Sequence, residues 1–128
     1  MSLSSQIQTK VRNLVERIRR PTEVIEAQHA HLKTHPWCEA CGVLGGGQAH
    51  HIKPYKKFPE LGADPNNFIT LCEHADGPEC HLHVGHGGYF KTYNPDVVAD
   101  AAEFKATSND VARRLLLDRI RAKRQIDA

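Results

Sequence analysis

The residues best suited to chemistry in this sequence are its nine histidines and four cysteines. Cys38 and Cys41 have the Cys-x-x-Cys spacing that brings two thiolates together on one tight turn, with Gly42 relieving the backbone there. Cys72 and Cys80 are separated by seven residues that include several turn formers. In a reducing compartment this pattern favours one tetrahedral four-thiolate site over disulfides or unrelated buried thiols.

The histidines form a second group of ligand-type residues. His50 and His51 stand at the predicted end of a short strand, where adjacent side chains point to opposite faces. One can therefore hold a metal while the other faces a substrate. Asn67 follows His51 by 16 positions. The chain then supplies three more imidazoles, at His81, His83 and His86.

Other metal and nucleotide signatures do not fit the sequence. A two-Cys, two-His zinc finger fails because His50 follows Cys41 too closely and His51 is adjacent to His50. A zinc deaminase requires His-x-Glu, which the chain lacks. The chain also has no His-Glu-x-x-His and no phosphate-binding glycine loop with lysine.

The elements on the amino-terminal side are predicted from apolar residues at helical spacing. One helix is expected over residues 5–20, ended by Pro21. A second is expected to begin after an N-cap at Thr22 and to end at His35-Pro36. Its histidines are interpreted as surface or capping residues rather than ligands: His29, His31 and His35.

The carboxy-terminal side predicts an Ala-rich helix from Pro95 to Lys105 and a final helix to about Arg124. Ser108 or Asn109 could cap the final helix. Its apolar face is expected to dock on the amino-terminal helices, with the arginines outward. That face consists of Val111, Leu115, Leu116 and Ile120.

Length and charge favour one domain of 128 residues, divided into flank 1–36, core 37–95 and flank 96–128. The net charge is only +2, but its distribution is uneven, because the flanks are basic and the middle is acidic. An acidic centre attracts divalent cations, while basic flanks can hold a phosphodiester backbone or can simply be solvated helix faces. No segment has the composition of a membrane span or a signal peptide, so we expect a cytoplasmic protein.

The motifs, in this order, resemble the HNH endonucleases of the ββα-metal type that a four-cysteine zinc braces. They are Cys38-x-x-Cys41, Ala49-His50-His51-Ile52-x-Pro54, Asn67-Phe68-Ile69-x-Leu71-Cys72 and Cys80-His81. The segment from His86 to Pro95 is similar to small HNH proteins of phages and prophages. The resemblance implies an α+β fold, with a small ββα-metal core flanked by amino- and carboxy-terminal helices.

The resemblance also implies roles for individual residues. His51 matches the general base, and Asn67 matches the residue that fixes the loop between the strands and so orients the base. His50 and His81 match ligands of the catalytic metal. A third ligand is expected one helical turn after His81. His86 lies five residues on and His83 only two, so we favour His86 and keep His83 as the alternative.

The implied function is metal-dependent hydrolysis of DNA, with a structural zinc and a catalytic Mg²⁺, Mn²⁺, Ni²⁺ or Zn²⁺. The lysines expected to contact the DNA phosphates are Lys53, Lys56, Lys57 and Lys91. The resemblance also implies phage packaging or terminase proteins as partners. It implies the cytoplasm of a bacterial host cell as the location. The alternative is a non-catalytic zinc-ribbon-like module for nucleic-acid binding or adaptor work, which leaves the His pair and Asn67 without a role.

Overall fold

A computed structural model of the chain describes residues 5–12, 21–74 and 77–127. Residues 5–12 are helical, as the apolar spacing predicts, and the rest of the predicted first helix lies outside the described residues. Within the described ranges, no helix combines the length and the apolar character needed to cross a membrane.

Helix α1 spans Thr22–Thr34 and ends with His35 at its C-cap. The predicted N-cap, Thr22, is instead the first helical residue, because Pro21 occupies the cap position without a side-chain capping bond. Proline suits this boundary, since its ring fixes φ and it has no N–H to leave unpaired. Val24 is buried, which directs one face of α1 toward the sheet.

The central sheet pairs strand β1 (Gly47–His51) with strand β2 (Phe68–Cys72) in antiparallel register. All five residues of β2 are buried. A π-helical turn (His81–Gly85) follows and packs on both strands. Two strands and this turn form the ββα arrangement, so the predicted α+β core is present.

The carboxy-terminal part contains strand β3 (Thr92–Tyr93), helix α2 (Val97–Ala106), helix α3 (Asp110–Lys123) and strand β4 (Gln125–Ile126). Strand β4 returns to pair antiparallel with β3. Of the two predicted caps for α3, Asn109 serves, because its side chain accepts hydrogen bonds from the amides of Val111 and Ala112. The last helix therefore begins where its local sequence predicts.

The predicted apolar face of α3 is only partly correct. Leu116 and Ile120 are buried, whereas Val111 and Leu115 are each 64% exposed. The expected docking on the amino-terminal helices is wrong for the described residues. Because α3 turns back on α2 after a short loop, its buried residues join the core with side chains of α2 and the π-helical turn: Val84, Val97, Ala101 and Phe104.

Asp100 fastens these helices to the π-helical turn. Its buried carboxylate is bound by Lys123 at 2.7 Å and by the Asn94 side chain at 2.9 Å. Asn94 also donates to the carbonyl of Val84 inside the turn, at 3.0 Å. Burial opposes the charge on Asp100, but the bonds from Lys123 and Asn94 lower its pKa overall. The turn is thus fixed from the side of the carboxy-terminal helices.

Candidate metal centres and active site

The four cysteines come together in one buried cluster, with all sulfur atoms within 4.8 Å of one another. The sulfurs of Cys41 and Cys72 are 3.6 Å apart, and all four thiols are free. A disulfide would need about 2.05 Å, whereas two thiolates at about 2.3 Å from one tetrahedral zinc lie roughly 3.8 Å apart. The arrangement fits a single metal ion.

Backbone amides donate to the sulfurs of Cys38 and Cys72, which favours negative charge on these two atoms. The amides of Cys41 and Cys72 each approach the sulfur of Cys38 at 3.4 Å, and the amide of Cys80 approaches the sulfur of Cys72 at 3.4 Å. Hydrogen bonds from the Cys72 and Cys80 thiols hold the pKa of Cys38 well below its usual range. Gly42 adopts a φ of +81°, the left-handed conformation that lets the turn close.

Three imidazoles form a second cluster, from β1, the start of the π-helical turn and its end. The facing nitrogens are His50 Nδ1 and His81 Nε2 at 3.0 Å, and His81 Nε2 and His86 Nε2 at 3.2 Å. Imidazole nitrogens bind zinc at about 2.0–2.1 Å, so ligand nitrogens of one tetrahedral ion lie roughly 3.4 Å apart. The geometry of the cluster fits metal coordination.

The partners of the outer ring nitrogens decide where the lone pairs lie. His86 Nδ1 is 2.7 Å from the carbonyl oxygen of Thr92, which can only accept, so Nδ1 carries the hydrogen. His81 Nδ1 is 2.9 Å from a carboxylate oxygen of Glu73. In the neutral rings both Nε2 lone pairs then face each other, and a cation between them resolves that conflict.

Burial keeps His50 in the uncharged form that a ligand needs. The pKa of His50 lies well below its ordinary value. Desolvation is the largest cause, and the neighbouring His86 and His81 lower the pKa further. A neutral imidazole retains a lone pair for a metal ion at pH 7.

The five-residue spacing of His81 and His86 is explained by the π-helical turn. The amide of His86 donates to the carbonyl of His81 at 3.1 Å, the i→i+5 bond that defines this helix type. In an α-helix residues four apart share a face, so five residues would rotate the second imidazole away. His83, the alternative ligand, is not part of the cluster.

At Gly85 side chains of both strands, Leu71 of β2 and His50 of β1, come close to this turn. A Cβ atom there would lie 2.9 Å from Leu71 Cδ1 and 3.2 Å from the His50 ring. A side chain there would require Leu71 to shift and the His50 ring to move by a few tenths of an ångström, so glycine leaves the ligand geometry undisturbed.

His51 ends β1, and its ring is directed away from the three-imidazole cluster toward the following loop. Its Nε2 is 2.8 Å from the carbonyl oxygen of Gly62, so Nε2 carries the hydrogen and the neutral ring has its lone pair on Nδ1. The ring packs near Phe68 and Tyr55, with centroid distances of 4.9 and 5.8 Å. Although His51 is only 7% exposed, it lines the same cavity as His50.

Asn67 ties the loop between the strands together. Its side-chain oxygen accepts from the amide of Lys53 at 2.8 Å. Its side-chain nitrogen donates to the carbonyls of Lys53 and Leu61, at 3.1 and 3.2 Å. These bonds fix the segment that carries Gly62, the partner of His51.

A cavity of about 530 Å³ opens beside the imidazoles. Two of the four predicted lysines, Lys56 and Lys91, line it. The ammonium groups of Lys53 and Lys57 lie instead over the rings of Phe58 and Tyr93, at 5.6 and 5.2 Å. Tyr93 itself lines the cavity, so Lys57 contacts a lining residue without lining the cavity itself.

Sequence reasoning missed four groups that complete these sites: Arg12, Gly62, Glu73 and Thr92. Gly62 and Thr92 act through backbone carbonyls, which no side-chain pattern reveals. Glu73 directly follows Cys72 in the sequence, and a carboxylate next to a predicted metal ligand is a signal that sequence reasoning could have used. The histidines set aside as non-ligands stand apart from both clusters, with His29 and His35 exposed and His31 stacked on His35.

Comparison with known protein families gives a match for the central part of the chain. Residues 38–87 match the family profile described as HNH endonuclease. That stretch contains all four clustered cysteines, all three clustered imidazoles, His51 and Asn67. No curated protein and no solved structure matches the chain.

Proposed function

We propose that this chain, which carries an HNH endonuclease domain over residues 38–87, is a metal-dependent endonuclease that hydrolyses DNA phosphodiester bonds. The observation that supports this best is the joint geometry of the cavity. Three imidazole nitrogens converge there beside a fourth imidazole, His51, whose bond to Gly62 leaves its Nδ1 as the basic nitrogen.

In this proposal His51 is the general base. Its Nδ1 takes a proton from the attacking water, and the ring becomes positively charged. The Gly62 carbonyl, which already accepts from Nε2–H, stabilises that charge and holds the ring orientation. Asn67 is the positioning residue that keeps this loop in place.

The two clusters would hold different ions. We assign a structural Zn²⁺ to the four thiols, because closed tetrahedral thiolate sites are typical of that metal. His50, His81 and His86 would hold a catalytic Mg²⁺, Mn²⁺, Ni²⁺ or Zn²⁺. When bound, such an ion supplies positive charge for the phosphate and leaving oxygens.

DNA would be held chiefly through its phosphates. Lys56 and Lys91 line the cavity, and Lys57 and Lys53 extend the basic character beyond it. Contacts of this kind position a duplex without reading its bases, so we expect weak sequence preference. A packaging or terminase partner and a bacterial cytoplasmic location stay predictions of the resemblance.

The test is cleavage of supercoiled plasmid with Mg²⁺, Mn²⁺, Ni²⁺ or Zn²⁺. We expect His51→Ala to lose about 10²–10⁴-fold in rate, the usual contribution of a general base. The matched control is His29→Ala, which removes an exposed histidine from α1 and should cleave at the wild-type rate.

Two results would contradict the proposal. If wild-type protein cuts with none of these metals, the chain is a binding module rather than a nuclease. If His51→Ala cuts as fast as wild type, either the base is another residue or the activity is a contaminant.

A further inference from the structure

Arg12 reaches the candidate active site from outside the segment that matches the HNH family. It lies in the helical residues 5–12, where Gln8 accepts a hydrogen bond from the amide of Phe90 at 2.7 Å. The Arg12 guanidinium lies 4.5 Å from the centroid of the Phe90 ring and forms an ion pair with Glu73. The amino-terminal segment is therefore attached at the edge of the cavity.

Phe90 brings this guanidinium close to the imidazole cluster. The Phe90 ring centroid is 4.9 Å from that of His86 and 5.6 Å from that of His81. Arg12 lines the cavity together with these rings, and its side chain is only 12% exposed. A cation held this firmly between an aromatic face and a carboxylate is oriented in advance of binding.

We infer that Arg12 binds a phosphate of the DNA backbone beside the imidazole cluster, an inference that rests on the proposed nuclease function. A guanidinium has five N–H donors in a rigid fork, so one edge can hold Glu73 while another binds phosphate oxygens. The other cations that line the cavity, Lys56 and Lys91, offer only point charges.

A purely structural role is the competing explanation. Arg12 contacts Glu73, and Glu73 contacts His81, so Arg12 could act only by holding a metal ligand in place. The two explanations differ in what they predict for DNA binding. A phosphate contact contributes to the salt dependence of binding, whereas support of a ligand changes metal affinity.

The experiment compares Arg12→Ala with Lys10→Ala, which removes an exposed cation from the same helical segment. Both changes are made in His51→Ala protein, and binding to a fluorescein-labelled DNA duplex is followed by anisotropy over a range of NaCl concentrations without added divalent cation. The plot of log K for DNA binding against log salt has a negative slope, and we expect Arg12→Ala to reduce the magnitude of that slope by about one. Lys10→Ala should leave the slope unchanged.

Calorimetric titration of the same proteins with Ni²⁺ completes the test, and we expect unchanged affinity in Arg12→Ala. An unchanged salt slope would overturn the inference, and so would a lowered slope accompanied by lost Ni²⁺ affinity. Wild-type protein that binds DNA without cutting it would refute the nuclease proposal, while the slopes would still decide the role of Arg12. Absence of DNA binding would overturn both.

Discussion

The cysteine cluster and the imidazole cluster interleave along the chain yet have opposite surroundings. Cys38, Cys72 and Cys80 belong to the hydrophobic core and are at most 2% exposed. The sulfurs of Cys38 and Cys72 accept hydrogen bonds from backbone amides. By contrast, His81 and His86 have a carboxylate and a carbonyl as partners of their outer nitrogens, and all three imidazoles line the cavity.

This difference shows how one small protein can separate stability from reactivity. A metal site enclosed by core residues has no position open to a substrate and so contributes to folding. A site whose ligands are oriented by hydrogen bonds to their outer atoms, and whose metal position faces a cavity, has room for water and phosphate. Two neighbouring clusters can therefore do different work.

The largest effect that the comparison predicts comes from Cys72→Ser, which removes a fully buried sulfur from the core. Structural zinc contributes on the order of 10 kcal/mol to folding in small zinc domains. We expect the variant to show no cooperative thermal transition by far-UV circular dichroism. If Cys72→Ser melts as the wild-type protein does, the cysteine cluster does not stabilise the fold and the contrast between the two clusters fails.

A smaller effect is expected from His86→Ala, which removes one imidazole ligand. The fold should persist, but metal affinity at the imidazole cluster should fall by more than about 100-fold, beyond the cost of losing a ligand's hydrogen-bond partner. His83→Ala is the matched control, because His83 lies in the same turn outside the cluster. Calorimetry with Ni²⁺ measures the metal affinity of both variants. If His83→Ala loses as much affinity as His86→Ala, the assignment of His86 as the third ligand is wrong.

The smallest effect should come from Glu73→Gln, which keeps an acceptor for His81 but removes the charge. Because a carboxylate partner increases the basicity of a ligating imidazole, we expect about 10–100-fold weaker metal binding. Glu60→Gln, at an exposed position, should bind metal like wild type. If Glu73→Gln binds metal with unchanged affinity, Glu73 does not strengthen His81 as a ligand.

Much of the secondary structure could be predicted from the sequence because its signals are local. The Asn109 cap lies within three residues of the amides that it binds, and Pro21 bounds α1 by its own ring. The buried side of α3 could not be predicted fully. Leu115 and Leu116 are adjacent and chemically equal, yet they are 64% and 2% exposed. Only the packing of α3 on α2 and the π-helical turn distinguishes them.

The sequence alone determined the kinds of donor atom, their order along the chain and the likeness to HNH endonucleases. Tertiary structure decided which histidines converge, because the π-helical turn aligns His81 with His86 through a backbone bond. It also decided the proton positions on the rings, which depend on the carbonyls of Gly62 and Thr92. Backbone carbonyls belong to every residue, so their placement is determined by long-range folding rather than by residue type.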